Sequence, residues 1–209
     1  MKTASRLEAG IDEAGRGPVI GPMVIAIVGW SNSEAEGIGV KDSKQLTPGG
    51  RSRLYKLIVS KAPCVKHIVI EPSEIDEYVN RGLLNELEAI KMSELIEACS
   101  GVARVYVDSP DPDPSRFRGF INAKDVELIV LNHADESIPL VSAASIVAKV
   151  IRDTIISKLK ETYGDFGSGY PSDPRTIDAL RRWINNGSLP PIVRRSWRTV
   201  RRMFNSRLF

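Results

Sequence analysis

The chain has 209 residues, 42% of them hydrophobic, and a formal net charge of +3, which fits one compact domain with an appended lobe. No run of about 18 uninterrupted apolar residues occurs, and the opening Met-Lys-Thr-Ala-Ser-Arg has no apolar segment. Neither a membrane span nor a secretory signal is expected, and the protein reads as soluble and cytoplasmic with no membrane partner. Cys64 and Cys99 lie far apart without a CxxC pattern, so no disulfide framework or zinc site is expected; both read as buried small apolar residues.

Leu7 to Ile11 forms a first strand and the continuously apolar Met23 to Trp30 a second. The segment between them is too short for a crossover helix, so an antiparallel pair is expected. Thr47 is an N-cap with Pro48 at the first helical position, opening a helix to about Ala62. Val65 to Ile70 is a third strand, followed by helices from Pro72 to about Arg81 and from Leu83 to about Ser100, the second stopped by Gly101. Arg104 to Asp108 alternates as a strand and runs into Pro110-Asp-Pro-Asp-Pro114, which cannot continue a sheet. Glu127 to Leu131 is the fifth strand. A polar loop, Asn132 to Ser137, leads into a long helix from Leu140 to about Tyr163, whose Ala143, Ala144 and Ala148 suit close approach to a sheet. A glycine loop, a helix near Pro174 to Asn186, a stop at Gly187 and a basic terminal helix complete the chain. The fold class is α/β, a mixed sheet with a helical C-terminal extension.

Two adjacent carboxylates, Asp12 and Glu13, end the first strand and lead into Gly15-Arg16-Gly17. Asp108 ends another strand, and Asp135 follows Leu131 closely. Carboxylates gathered at one sheet edge repel one another, and a divalent cation relieves that repulsion. Oxygen ligands favour magnesium or manganese over zinc. Asp111, Asp113, Asp125 and Asp153 compete for such a role on sequence physics alone. His67 and His133 are not expected to be metal ligands. Gly15, Gly17 and Gly21 miss the dinucleotide fingerprint by one residue, and an apolar strand rather than a helix follows them.

Asp12-Glu-Ala-Gly-Arg-Gly-Pro, Asp42-Ser-Lys-Gln-Leu, Tyr106-Val-Asp-Ser, His133-Ala-Asp, Val141-Ser-Ala-Ala-Ser-Ile-Val-Ala-Lys and Gly167-Ser-Gly-Tyr-Pro-Ser-Asp-Pro occur in this order over nearly the whole chain. Together they resemble ribonuclease HII, the type 2 ribonuclease H, of archaeal style. The resemblance implies a ribonuclease H-like mixed five-stranded sheet flanked by helices, with a catalytic domain over residues 1–165 and a helical substrate-binding extension over 166–209. It implies Asp12, Glu13, Asp108 and Asp135 as catalytic metal ligands, selecting Asp135 over Asp153, and two Mg²⁺ or Mn²⁺ ions during catalysis.

By the same resemblance the enzyme cuts the RNA strand of RNA/DNA hybrids and incises 5′ of a single ribonucleotide in duplex DNA, leaving 5′-phosphate and 3′-hydroxyl ends. Gly15, Arg16 and Gly17 would contact the ribose 2′-hydroxyl through backbone groups, and Tyr170 would pack on the neighbouring sugar. Without the resemblance, Gly15-Arg16-Gly17 reads as a tight turn between paired strands rather than a sensor, and Tyr170 reads equally as an anchor of the C-terminal lobe. Lys44 and Lys149 are candidates to neutralise phosphates, whereas Arg152 reads as a solvated helix charge. The arginines from Arg194 to Arg207, interleaved with Trp197 and Phe204, read as a nonspecific phosphate grip. A monomer is expected. A sliding-clamp partner is conceivable from the end Met203-Phe-Asn-Ser-Arg-Leu-Phe, which lacks the glutamine and paired aromatics of a clamp motif. The rival readings are a junction resolvase of the same fold and a hybrid-binding module without catalysis.

Overall fold

The computed structural model describes residues 7–40 and 46–205. Its elements in chain order are β1 (Leu7–Ala14), β2 (Met23–Trp30), α1 (Asn32–Gly37), α2 (Pro48–Lys61), β3 (Cys64–Ile70), α3 (Pro72–Asn80), α4 (Leu84–Ala98) and β4 (Val102–Asp108). They continue with α5 (Pro114–Arg118), β5 (Glu127–Leu131), α6 (Ala134–Ser137), α7 (Pro139–Tyr163), α8 (Pro174–Asn185) and α9 (Arg198–Asn205). The five strands form one sheet in the order β3-β2-β1-β4-β5. β1 runs antiparallel to β2 as expected and parallel to β4, which is in turn parallel to β5.

The chain divides into two compact units. The first comprises Met1–Ala14, Val24–Ile68 and Asn85–Val150; the second comprises Gly15–Met23, Val69–Leu84 and Ile151–Phe209. These units differ from the contiguous spans 1–165 and 166–209, because the loop after β1 and the second half of α7 group with the C-terminal residues. In the second unit Val19, Ile20, Ile156, Phe166, Leu180, Val193 and Val200 form one buried cluster. A loop that contributes Val19 and Ile20 to that core has its apolar surface invested there rather than in the sheet.

Every residue of β2 is buried, as a continuously apolar central strand requires. α7 closes directly on β1 at Gly10, where a Cβ would overlap the backbone of Leu140 and Val141. The helix start is thereby fixed against the strand that carries Asp12, and the small Ala143, Ala144 and Ala148 are all buried along it. Thr47 caps α2 by accepting from the Gly50 N–H at 3.2 Å.

One expectation is corrected. Cys64 and Cys99 form a disulfide, with their Cα atoms 6.0 Å apart. The start of β3 and the residue following α4 meet although 35 positions separate them in sequence. Gly29 of β2 lies against both cysteines, with space for a Cβ only 3.1 Å from that of Cys64. Cys99 is buried, as expected. Among the described residues no helix is long and apolar enough to cross a membrane.

Candidate active site

The parallel pairing of β1 and β4 sets Ile11 opposite Val107, so Asp12 and Asp108 are the next residues on adjacent strands. Both lie at the carboxyl ends of their strands, the edge at which open α/β sheets present functional groups. β5 lies on the other side of β4, pairing Leu131 with Asp108. The chain then turns through His133, in a left-handed conformation at φ 55°, into the short helix α6. The first N–H of that helix, on Ala134, donates to Asp108 Oδ1 at 2.8 Å. Asp135 is therefore the residue next to the amide that holds Asp108.

Asp12 is buried, at 5% exposure, and accepts from the Glu13 N–H at 2.7 Å. Its carboxyl is pushed well above the ordinary aspartate range, first by burial, then by the neighbouring charges of Glu13 and Asp108. The Ser145 hydroxyl and the Glu13 amide oppose that shift by bonding the carboxylate. Three acids thus share one electrostatic environment, with a serine from α7 orienting the most buried of them. Asp135 is half-buried. Lys149 is exposed one helical turn after Ser145, on the same side of α7. Among the described residues, no three acidic, histidine or cysteine side chains are gathered tightly enough to hold a metal ion as they stand. The donors are carboxylates with a buried, mutually repelling member, which fits a hard divalent cation that would cancel the repulsion. Lys44 falls outside the described residues.

Two of the competing acids, Asp111 and Asp113, have local employment. Asp111 is buried and binds Arg116 and Asn85 with the same oxygen, while its other oxygen accepts from the Asp113 N–H. Asp113 caps α5. His133 is exposed and its Nδ1 stands 4.0 Å from Glu136.

In the second unit, the segment Gly15 to Pro22 is fastened at many points. Val19 and Ile20 donate to the Gly169 carbonyl at 2.8 and 3.3 Å, and Ile20 bridges antiparallel to Val193. Gly15 has φ 89° and a Cβ there would overlap the Arg152 side chain; Gly21 has φ 88° and faces Ile156. These two glycines satisfy the demands of the turn. Gly17 differs, because its backbone does not require glycine and a Cβ there would meet only the Tyr170 ring, 3.6 Å away. Gly17 is exposed and Tyr170 is 39% exposed. The structure therefore brings Gly17 and Tyr170 together as an accessible pair.

Two arginines, Arg152 read from sequence as a solvated helix charge and Arg194 read as part of a phosphate grip, are instead interior. Arg152 is 5% exposed, donates to the Pro22 and Ile20 carbonyls at 3.2 and 3.5 Å, and lies 5.7 Å from the centre of the Tyr170 ring. Burial pushes its guanidinium below the usual arginine range, while Tyr170 and Asp153 oppose this. Arg194 is fully buried and donates to the Gly21, Arg16 and Gly15 carbonyls at 2.9, 2.9 and 2.6 Å. Trp197, whose ring centre is 4.9 Å from Arg194, donates its indole N–H to the Gly17 carbonyl at 3.2 Å. A signal for Arg152 was present: Ala148 and Ile156, four residues to either side, are both buried, so Arg152 shares their face of α7.

The sequence profile of the family described as Ribonuclease HII matches residues 9–200. A ribonuclease HII from Caldivirga maquilingensis is 90% identical over 209 residues, covering 100% of both chains. The crystal structure of ribonuclease H2 from Pyrococcus horikoshii superposes with a TM-score of 0.88 at 44% identity, covering 96% of this chain and 98% of that one. The PCNA:RNase HII complex from Archaeoglobus fulgidus gives a TM-score of 0.87 at 41% identity, covering 94% and 96%.

Proposed function

The chain belongs to the ribonuclease HII family and has its ribonuclease H-like fold and hydrolytic endoribonuclease class; from that premise we propose how its residues divide the work. The substrate is the RNA strand of an RNA/DNA hybrid, and also a duplex DNA containing a single ribonucleotide, which is incised on the 5′ side. Asp12, Glu13, Asp108 and Asp135 are the catalytic carboxylates and would hold two divalent ions, magnesium or manganese. Held there, divalent ions would supply activation of a water and charge stabilisation at the scissile phosphate, and the expected products carry 5′-phosphate and 3′-hydroxyl ends.

The observation that carries this reading is the state of Asp12. A carboxylate buried beside Glu13 and Asp108 is costly in the free protein and is relieved by a cation. Ser145 orients Asp12, and the Ala134 amide orients Asp108. Lys149, exposed beyond Ser145, is placed to meet a phosphate. The Gly15, Arg16 and Gly17 backbone reads the 2′-hydroxyl, which separates RNA from DNA. Tyr170 offers a flat apolar ring for the sugar beside it. Gly17 supports that assignment, since the fold leaves it open and a side chain there would meet the Tyr170 ring.

Asp12→Asn tests the assignment. It keeps the shape and loses the charge, so hybrid binding is retained while cleavage in magnesium falls by about 10³-fold, roughly 4 kcal/mol of transition-state stabilisation. Equal turnover by mutant and wild type would sink it. PCNA is a further proposed partner, because one structural neighbour is a complex with it; a pull-down with PCNA reads this directly.

A further inference from the structure

We infer that Arg194 is a positioning residue for ribonucleotide recognition, fixing the Gly15 and Arg16 carbonyls so that the Arg16 and Gly17 amides face the substrate, and that Trp197 supports it by anchoring the Gly17 carbonyl that follows them. This rests on the proposed reading of that backbone as the 2′-hydroxyl sensor. The geometry is specific. Arg194 donates from Nη2 to the Gly15 carbonyl and from Nη1 to the Arg16 carbonyl, and Trp197 takes the Gly17 carbonyl. No described peptide bond is cis, and in a trans peptide the N–H points opposite to the C=O of the same unit. The peptide whose carbonyl is that of Gly15 carries the Arg16 N–H, and the next carries the Gly17 N–H; the third, whose carbonyl Trp197 holds, carries the Pro18 nitrogen, which has no hydrogen, so Trp197 anchors the end of the segment and aims no donor. Both amides are therefore directed away from Arg194. A backbone sensor needs this orientation to be set before substrate arrives, since a donor fixed in advance costs no ordering on binding.

Arg194 is itself held rigidly. Its own N–H donates to the Val19 carbonyl at 2.9 Å, its Nε donates to the Gly21 carbonyl, and its guanidinium lies on the Trp197 ring. One planar fork thus spans both ends of the loop. Lysine cannot reproduce this, because its ammonium is a point donor without the fixed fork.

The test compares two duplexes of one sequence, one with a single ribonucleotide and one all-DNA. KM and kcat are measured on the first, and the all-DNA duplex is used as a competitor to obtain its Ki. Wild type is expected to show KM well below Ki. Arg194→Lys and Trp197→Phe are expected to raise KM for the ribonucleotide duplex by about fivefold or more, with Ki within about twofold of wild type and kcat changing less than KM. Trp197→Phe keeps an aromatic ring and removes only the indole donor, so it carries the test if Arg194→Lys fails to fold. A wild type that separates the duplexes while folded variants separate them equally well overturns the positioning role alone. Equal rises in KM and Ki also overturn it, since they indicate general loosening. A wild type with KM equal to Ki overturns the sensor reading and the positioning role together.

Discussion

At the carboxyl end of β1, a buried aspartate stands among like charges, whereas in the Gly15–Pro22 segment two buried guanidiniums meet five carbonyl oxygens. The first region is held under electrostatic tension that a cation would relieve. The second has its interior polar groups matched within the protein, as buried hydrogen-bonding groups require. The contrast suits the proposed division, in which the acids would act on an arriving ion and phosphate while the loop would keep one shape so that it can discriminate. A site that gains energy on binding metal can be left strained, but a reader of one hydroxyl cannot be left mobile.

The sharpest way to separate the regions by stability is at the disulfide. The Cys64–Cys99 bridge closes a span of 35 residues in the first unit, and the chain-entropy account gives roughly 4 kcal/mol for a loop of that size. Cys64→Ser with Cys99→Ser, or strong reductant, is expected to lower the melting temperature by several degrees while leaving KM for the ribonucleotide duplex unchanged. A melting point insensitive to reductant would remove the bridge from the account.

A smaller effect distinguishes two glycines two positions apart. Gly15→Ala meets both a φ of 89° and the Arg152 side chain, so it should cost about 2 kcal/mol or more in denaturant melts. Gly17→Ala should leave stability within about 0.5 kcal/mol yet weaken the preference for the ribonucleotide duplex. Reversal of that pattern would mean that Gly17 serves the turn and Gly15 does not.

The smallest effect lies in acid. Asp173 accepts from the Ser168 N–H and caps α8, and these bonds, with Arg175, lower its pKa to about 2. Its folded value lies below the unfolded one, so its contribution is present above about pH 4 and fades as pH falls towards 2. Asp173→Asn should flatten the acid limb of the stability profile over that window; an unchanged slope would assign the acid sensitivity elsewhere.

Much of the sheet was legible because its signals are local. β2 and β5 follow from unbroken apolar runs, and Thr47-Pro48 declares the start of α2. The antiparallel β1–β2 pair followed from the shortness of the segment between them. Three short helices, α1, α5 and α6, were not foreseen, since four to six residues carry too little periodicity to read. The disulfide escaped because nothing in a 35-residue separation announces that β3 and the end of α4 meet. Arg152 and Arg194 were misplaced for a different reason: hydropathy patterns count arginine as solvent-facing, so the apolar face that Arg152 shares on α7 was passed over, and for Arg194 only the tertiary arrangement of carbonyls explains why it is inside. The convergence of Asp12 with Asp108 depends on β1 and β4 being neighbours, a non-local pairing that the strand-end acids suggest without specifying.

The division between cutting and reading is tested most directly on a duplex DNA carrying one ribonucleotide, incubated with wild-type protein in magnesium with and without chelator. A single nick on the 5′ side of the ribonucleotide is expected, with 5′-phosphate and 3′-hydroxyl ends, abolished by chelator. A nick that persists in chelator, cleavage at unrelated positions, or no cleavage in any divalent metal would contradict it.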